Sequence, residues 1–65
     1  MNWNQILGRW TEFKGKLIER FGDLTDDEIE QARGDREQLE GIIQKKYGDS
    51  KEDVREIVDR LMKDM

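Results

Sequence analysis

Asp23, Asp26, Asp27 and Glu28 gather within six positions, and of all the residues in this sequence they come nearest to a chemically useful grouping. Two carboxyl groups can serve as general acid and base when burial raises the pKa of one toward neutrality. Here the surroundings are hydrophilic, and Thr25-Asp26-Asp27-Glu28 has the form of a helix start, where carboxylates complement the helix dipole. A solvated helix N-terminus is the better reading. The cluster also fails as a calcium loop, which needs ligands at alternate positions, a glycine at the sixth and a glutamate at the twelfth. Asp23-Leu24-Thr25-Asp26-Asp27-Glu28 has neither the alternation nor the glycine.

Other chemistries fail on inventory. The chain has no cysteine and no histidine, so thiolate and imidazole ligands and the commonest nucleophile and base are missing. Ser50 is the one serine, with no histidine to activate it, and it is better placed as a helix cap. The glycines are scattered instead of gathered into a phosphate-binding loop. No catalytic residue, metal or cofactor is expected, and the chain reads as a non-enzyme.

Charged residues make up 43% of the chain, yet the signs nearly cancel to a net −4. Nucleic acid is disfavoured as a partner, because phosphate neutralisation takes a clustered excess of Lys and Arg. Lys14, Lys16 and Arg20 form a basic strip that Glu12 and Glu19 interrupt, and the glycine turns carry Asp23 and Asp49 where phosphate would lie. No apolar run approaches the ~20 residues that span a bilayer, so no membrane partner is expected. The first residues also lack the basic start and apolar stretch of a signal peptide, and a cytoplasmic location follows as the expectation.

These residues must be positioned by helices. Sixty-five residues allow one domain, spanning 1–65. A chain this short buries only about 60% of its unfolded surface, and its core supplies a net of roughly 3–5 kcal/mol. There is no proline, so glycine marks the boundaries. The apolar series Trp3, Ile6, Leu7, Trp10, Phe13, Leu17 and Phe21 predicts one helix from Asn2 to Phe21. Asn2 and Gln5 form its capping box, Met1 and Ile6 its staple, and Gly22 a left-handed stop. A second helix, Thr25 to Arg33, has the box Thr25–Glu28 and ends at Gly34. A third, from Asp35 as cap with Gln38 three residues on, runs to Lys46 or Tyr47 and stops at Gly48. The fourth begins at Ser50, with Asp53 three residues on, and carries the cleanest stripe: Val54, Ile57, Val58, Leu61, Met62 and Met65. Glu56–Arg60 and Asp59–Lys63 are spaced for ion pairs on its wet face.

The chain repeats itself. Phe13-x-Gly15-x-Leu17-x-x-x-Phe21-Gly22-Asp23 returns as Leu39-x-Gly41-x-Ile43-x-x-x-Tyr47-Gly48-Asp49, 26 positions later. The fold expected is therefore all-α: a small four-helix domain of two helix–Gly turn–helix hairpins packed crosswise. Its predicted core is Trp10, Phe13, Leu17, Phe21, Ile29, Leu39, Ile43, Tyr47, Val54, Ile57, Val58 and Leu61. Gly8, Gly15 and Gly41 lie inside helices, where glycine costs about 1 kcal/mol against alanine, and close helix crossing is the expected compensation. Trp3, at the end of the first helix, and the terminal Met62 and Met65 are the candidate partner contacts.

Met1-Asn2-Trp3, then Trp10-x-x-Phe13-Lys14-Gly15-Lys16 and Phe21-Gly22-Asp23-Leu24-Thr25-Asp26-Asp27, resemble the CsbD-like family of small bacterial stress-response proteins. The second half matches in Gly34-x-Arg36-x-Gln38-Leu39-x-Gly41 and Gln44-x-x-Tyr47-Gly48. This chain departs from the usual pattern at Ile42, where a basic residue is common, and in its more apolar C-terminal segment. The resemblance implies a cytosolic protein made under general stress, with no enzymatic activity, cofactor or binding residue to carry over. The first function expected is a folded helical module that binds an unknown protein partner, as a monomer or weak homodimer. The alternative is a hydrophilin-like protectant that acts by solvation, and the second alternative is weak nucleic-acid binding through the paired helical hairpins.

Overall fold

The structure, a computed structural model, describes residues 2–65, and every regular element in them is helical. The helices are α1 (Trp3–Leu7), α2 (Trp10–Arg20), α3 (Asp26–Gln31), α4 (Arg36–Tyr47) and α5 (Lys51–Lys63). The all-α expectation holds; the count of four does not. The expected first helix is divided at Gly8–Arg9. Arg9 leaves helical backbone (φ −126°, ψ 39°), and its N–H bonds Ile6 C=O at 2.9 Å, three residues back instead of four. Packing drives the break. The bend folds Trp3 back so that its ring meets Phe13 edge-on with centroids 5.7 Å apart. In a straight helix residues ten apart are separated by about 15 Å along the axis.

Three of the four start signals work as read; the pairing of Asp35 with Gln38 does not form. Asn2 and Gln5, and Thr25 and Glu28, form reciprocal capping boxes. Ser50 accepts from Asp53 N–H, whereas Asp35 takes the N–H of Glu37. The expected Met1–Ile6 staple falls outside the described residues. The stop signals work only in part. Gly48 is left-handed (φ 72°), the one glycine with positive φ among the described residues, so Gly22 and Gly34 do not end their helices that way. Phe21 ends α2 by leaving helical backbone (φ −124°, ψ 82°), and its ring is buried in the core. The second predicted helix also closes early, at Gln31, in a tightened turn where Ala32 N–H bonds Ile29 C=O at 3.1 Å.

One buried cluster holds the elements together. It joins Ile6, Trp10, Phe13, Leu17, Phe21, Leu24, Ile29, Ala32, Leu39, Ile43, Val54, Val58 and Met62. Tyr47, Ile57 and Leu61, expected in the core, are partly buried and pack on its rim, while Ile6, Leu24, Ala32 and Met62 enter it. Helix α5 packs most closely on α4 and then on α2. The two sequence copies meet where Phe21 and Tyr47 pack at a tilt of 55°, ring centroids 5.1 Å apart. Around this contact Asp23 N–H donates to Tyr47 Oη at 2.9 Å. Lys46 Nζ donates to Asp23 C=O and pairs with Glu28 at 2.6 Å.

A polar tie crosses from α4 to α5. Glu40 is 2% exposed and accepts from Arg36 Nε at 2.8 Å. The other face of that guanidinium reaches Asp59 at 2.6 Å and Arg55 C=O at 3.2 Å. Asp59 is thus drawn to α4 instead of Lys63. Burial disfavours the charge on Arg36, but its bonds to Asp59 and Glu40 outweigh this and hold its pKa above the ordinary value. Removing Arg36 strands a buried carboxylate. Arg36→Ala is expected to cost about 3 kcal/mol in urea unfolding, and Asp59→Ala, on the exposed side of the tie, under ~1 kcal/mol.

The helix glycines are not crossing points. A Cβ built at Gly15 or Gly41 meets nothing within 4 Å, and one at Gly8 meets only Gln5 C=O at 3.4 Å. Close approach is therefore not their compensation; α2 and α4 carry the cost uncompensated. Gly15→Ala and Gly41→Ala should each stabilise the fold by about 0.5–1 kcal/mol, read as a higher urea midpoint at unchanged slope.

Candidate functional site

The bend in the N-terminal helix builds an aromatic corner. Trp3, Trp10 and Phe13 lie with all three centroid distances at 5.7 Å, Trp3 meeting both others edge-to-face. Each indole N–H has a partner, as amphipathic rings at a wet boundary require. Trp3 Nε1 donates to Arg33 C=O at 3.1 Å and Trp10 Nε1 to Glu30 Oε1 at 2.9 Å. Lys14 Nζ reaches the same oxygen at 3.1 Å, and the Arg33 guanidinium lies 5.8 Å over the Trp10 ring. Trp10 and Phe13 are buried, and Trp3 is half-buried at the rim.

The three candidate contacts have different fates. Trp3 stands half-buried at the rim. Met62 is not at the surface: it is 4% exposed and belongs to the core cluster, because α5 turns its apolar stripe fully inward. Met65 is half-buried against that cluster, and its C=O accepts from Arg9 Nη1 at 2.9 Å. The surface apolar residue that sequence reasoning missed is Ile18, 39% exposed on α2. It falls outside the Trp10–Phe13–Leu17 stripe, which was the signal for it. Glu40 was missed too, because nothing in its sequence position distinguishes it from the solvated acids.

The acidic cluster behaves as a helix start. Asp23, Asp26, Asp27 and Glu28 are exposed or half-exposed around the α3 N-terminus. The hydrogen bond from Lys46, with that from Thr25 N–H, holds the Glu28 carboxyl below its ordinary pKa. The bonds from Trp10 and then Lys14 do the same for Glu30. Among the described residues no group of three His, Cys, Asp or Glu could hold a metal ion. Two surface depressions are shallow: one of about 280 Å³ lined by Asp49, Asp53, Glu56, Ile57 and Arg60, and one of about 270 Å³ lined by Lys16, Glu19, Arg20, Leu61 and Asp64. No described helix is long and apolar enough to cross a membrane.

The CsbD-like family pattern matches residues 4–56. The chain belongs to the CsbD-like family. It is 48% identical to a UPF0337 protein of Pseudomonas aeruginosa over 65 residues, covering 94% of this chain and all of that one. It is 45% identical to a UPF0337 protein of Nitrosomonas europaea, over 98% of this chain and 68% of that one. Identity is also 45% to the UPF0337 protein YjbJ of Salmonella typhimurium, over 91% and 86% of the two chains. No solved structure gives a significant match. Trp3, Met62 and Met65 all lie outside the residues that match the CsbD-like pattern.

The lowered carboxyl groups predict an acid response. A glutamate whose folded pKa lies below its unfolded value adds stability at neutral pH, which is lost as pH falls through and below the ordinary range near about 4.3. Both Glu28 and Glu30 have this sign. The double variant Glu28→Gln, Glu30→Gln should therefore show a flatter fall in urea midpoint between neutral and acid pH than the parent chain.

Proposed function

We propose that this CsbD-like chain is a non-enzymatic general stress-response protein that works in the cytoplasm as a small folded helical binding module, built as two helix–turn–helix hairpins. The observation that carries this reading is the single buried cluster fed by all five helices, four of which start on a side-chain cap, the agreement between local and global signals expected of a sequence with one structure. A radius of gyration of 10.5 Å is close to the roughly 11 Å of a folded chain of this length. The half-buried Trp3 and the exposed Ile18 offer apolar contact to a protein partner. A non-enzymatic role is supported by the direction of the carboxyl shifts. Glu28 and Glu30 are held ionised, whereas a general acid at neutral pH needs the opposite. Nucleic acid is a poor partner, since Lys14 is engaged by Glu30 and Glu19 stays between Lys16 and Arg20.

A second reading, a hydrophilin-like protectant that acts by solvation, is favoured by one observation: Gly15 and Gly41 weaken their helices with no packing in return. A mean hydropathy of −1.04 is in keeping with it. The two readings part on whether composition suffices. Protection of a labile enzyme from drying is expected to be lost when the sequence is scrambled at fixed composition. The parent chain should also lose its near-ultraviolet circular dichroism in one cooperative melt. Equal protection by the scrambled chain would transfer the function to the solvation reading.

A further inference from the structure

The apolar series keeps helical spacing straight through Gly8 and Arg9, yet the backbone bends there. The margin is narrow. Gly8 is already right-handed helical (φ −71°, ψ −14°), and Arg9 alone departs (φ −126°, ψ 39°), although arginine is a good helix former. One residue separates the bent chain from a single helix running from Trp3 to Arg20.

Straightening would carry Trp3 about 15 Å along the axis from Phe13, so the present contact at 5.7 Å exists within one chain only in the bent form. It would also empty a cleft floored by Trp10 and Phe13, with Arg33 C=O as a hydrogen-bond acceptor at its rim. The released α1 would expose Ile6, now fully buried, and the half-buried Trp3. The occupant that matches this cleft in shape and hydrogen bonding is already known, because α1 fills it. A second α1 fits equally well.

We propose that α1 is an exchangeable segment and that the cleft over Trp10 and Phe13 is the docking site for α1 of a second copy of this chain. Two straightened chains related by a two-fold axis restore each contact twice, and both hinges become regular helix. Segment exchange of this kind is a low-cost route to a dimer, and short hinges invite it. The exchange goes beyond the binding reading above and stands without it.

Arg9→Ala and Arg9→Gly provide the test. Both lose the guanidinium contacts to Met65 C=O and Glu12, and they differ in the helix propensity of the hinge. Sedimentation equilibrium of the full chains, refolded at millimolar concentration, should give Arg9→Ala a dimer Kd about thirty-fold below that of Arg9→Gly, from two hinges per dimer. A mixture of isotope-labelled and unlabelled Arg9→Ala chains should show nuclear Overhauser contacts between Trp3 of one chain and Phe13 of the other. The wild-type chain, refolded and mixed in the same way, decides the matter if either variant fails to fold. Chains that stay monomeric overturn the proposal, including monomers with α1 detached, which would leave the cleft to a different partner. A dimer whose Trp3–Phe13 contacts remain within one chain overturns it as well.

Discussion

None of the described helices is long enough to stand by itself. The five run from five to thirteen residues, and isolated helices below about 12–15 residues are marginal in water. Their persistence depends on apolar side chains shared through one cluster. Phe13 and Leu17 on α2, Leu39 and Ile43 on α4 and Val54 and Val58 on α5 are all fully buried in it. Everything else in the structure is arranged around keeping that cluster closed. The bend at Arg9 returns Trp3 and Ile6 to it, Phe21 leaves its helix to enter it, and Met62 seals it from the C-terminal end.

The polar groups follow the same logic. Where a charge approaches the cluster it is tied, as Glu40 is by Arg36 and as Glu30 is by Trp10 and Lys14. Where the two sequence copies adjoin, Tyr47 and Lys46 of the second copy hold the turn that closes the first. The relation is not reciprocal. Phe21, the counterpart of Tyr47, has no hydroxyl to return the contact, and Arg20, the counterpart of Lys46, lies against its own neighbour Phe21. The internal repeat thus supplies two similar halves that fasten differently.

This asymmetry also explains how much of the molecule was legible in sequence. Helix starts were readable because a cap is a local device: Thr25 with Glu28, or Ser50 with Asp53, needs nothing from elsewhere in the chain. Buried faces were readable because Leu39 and Ile43, or Val54 and Val58, repeat at helical spacing. Interruptions decided by tertiary packing were not. Arg9 breaks a helix that its own propensity would continue, and Phe21, not Gly22, ends α2, in both cases so that a ring can reach the core. The candidate site divides along the same line. The partial exposure of Trp3 was legible from its place at a helix end, whereas the burial of Met62 and Glu40 depends on which way α4 and α5 face each other.

The proximity of the two indoles has an optical consequence. Transition dipoles on Trp3 and Trp10, with ring centroids 5.7 Å apart and planes at 77°, are close enough for excitonic mixing. The far-ultraviolet spectrum of the folded protein then contains a chromophore couplet superimposed on the amide bands. Helicity taken from ellipticity alone would be biased in this chain, and replacing either tryptophan would change the ellipticity by more than the change in helix content.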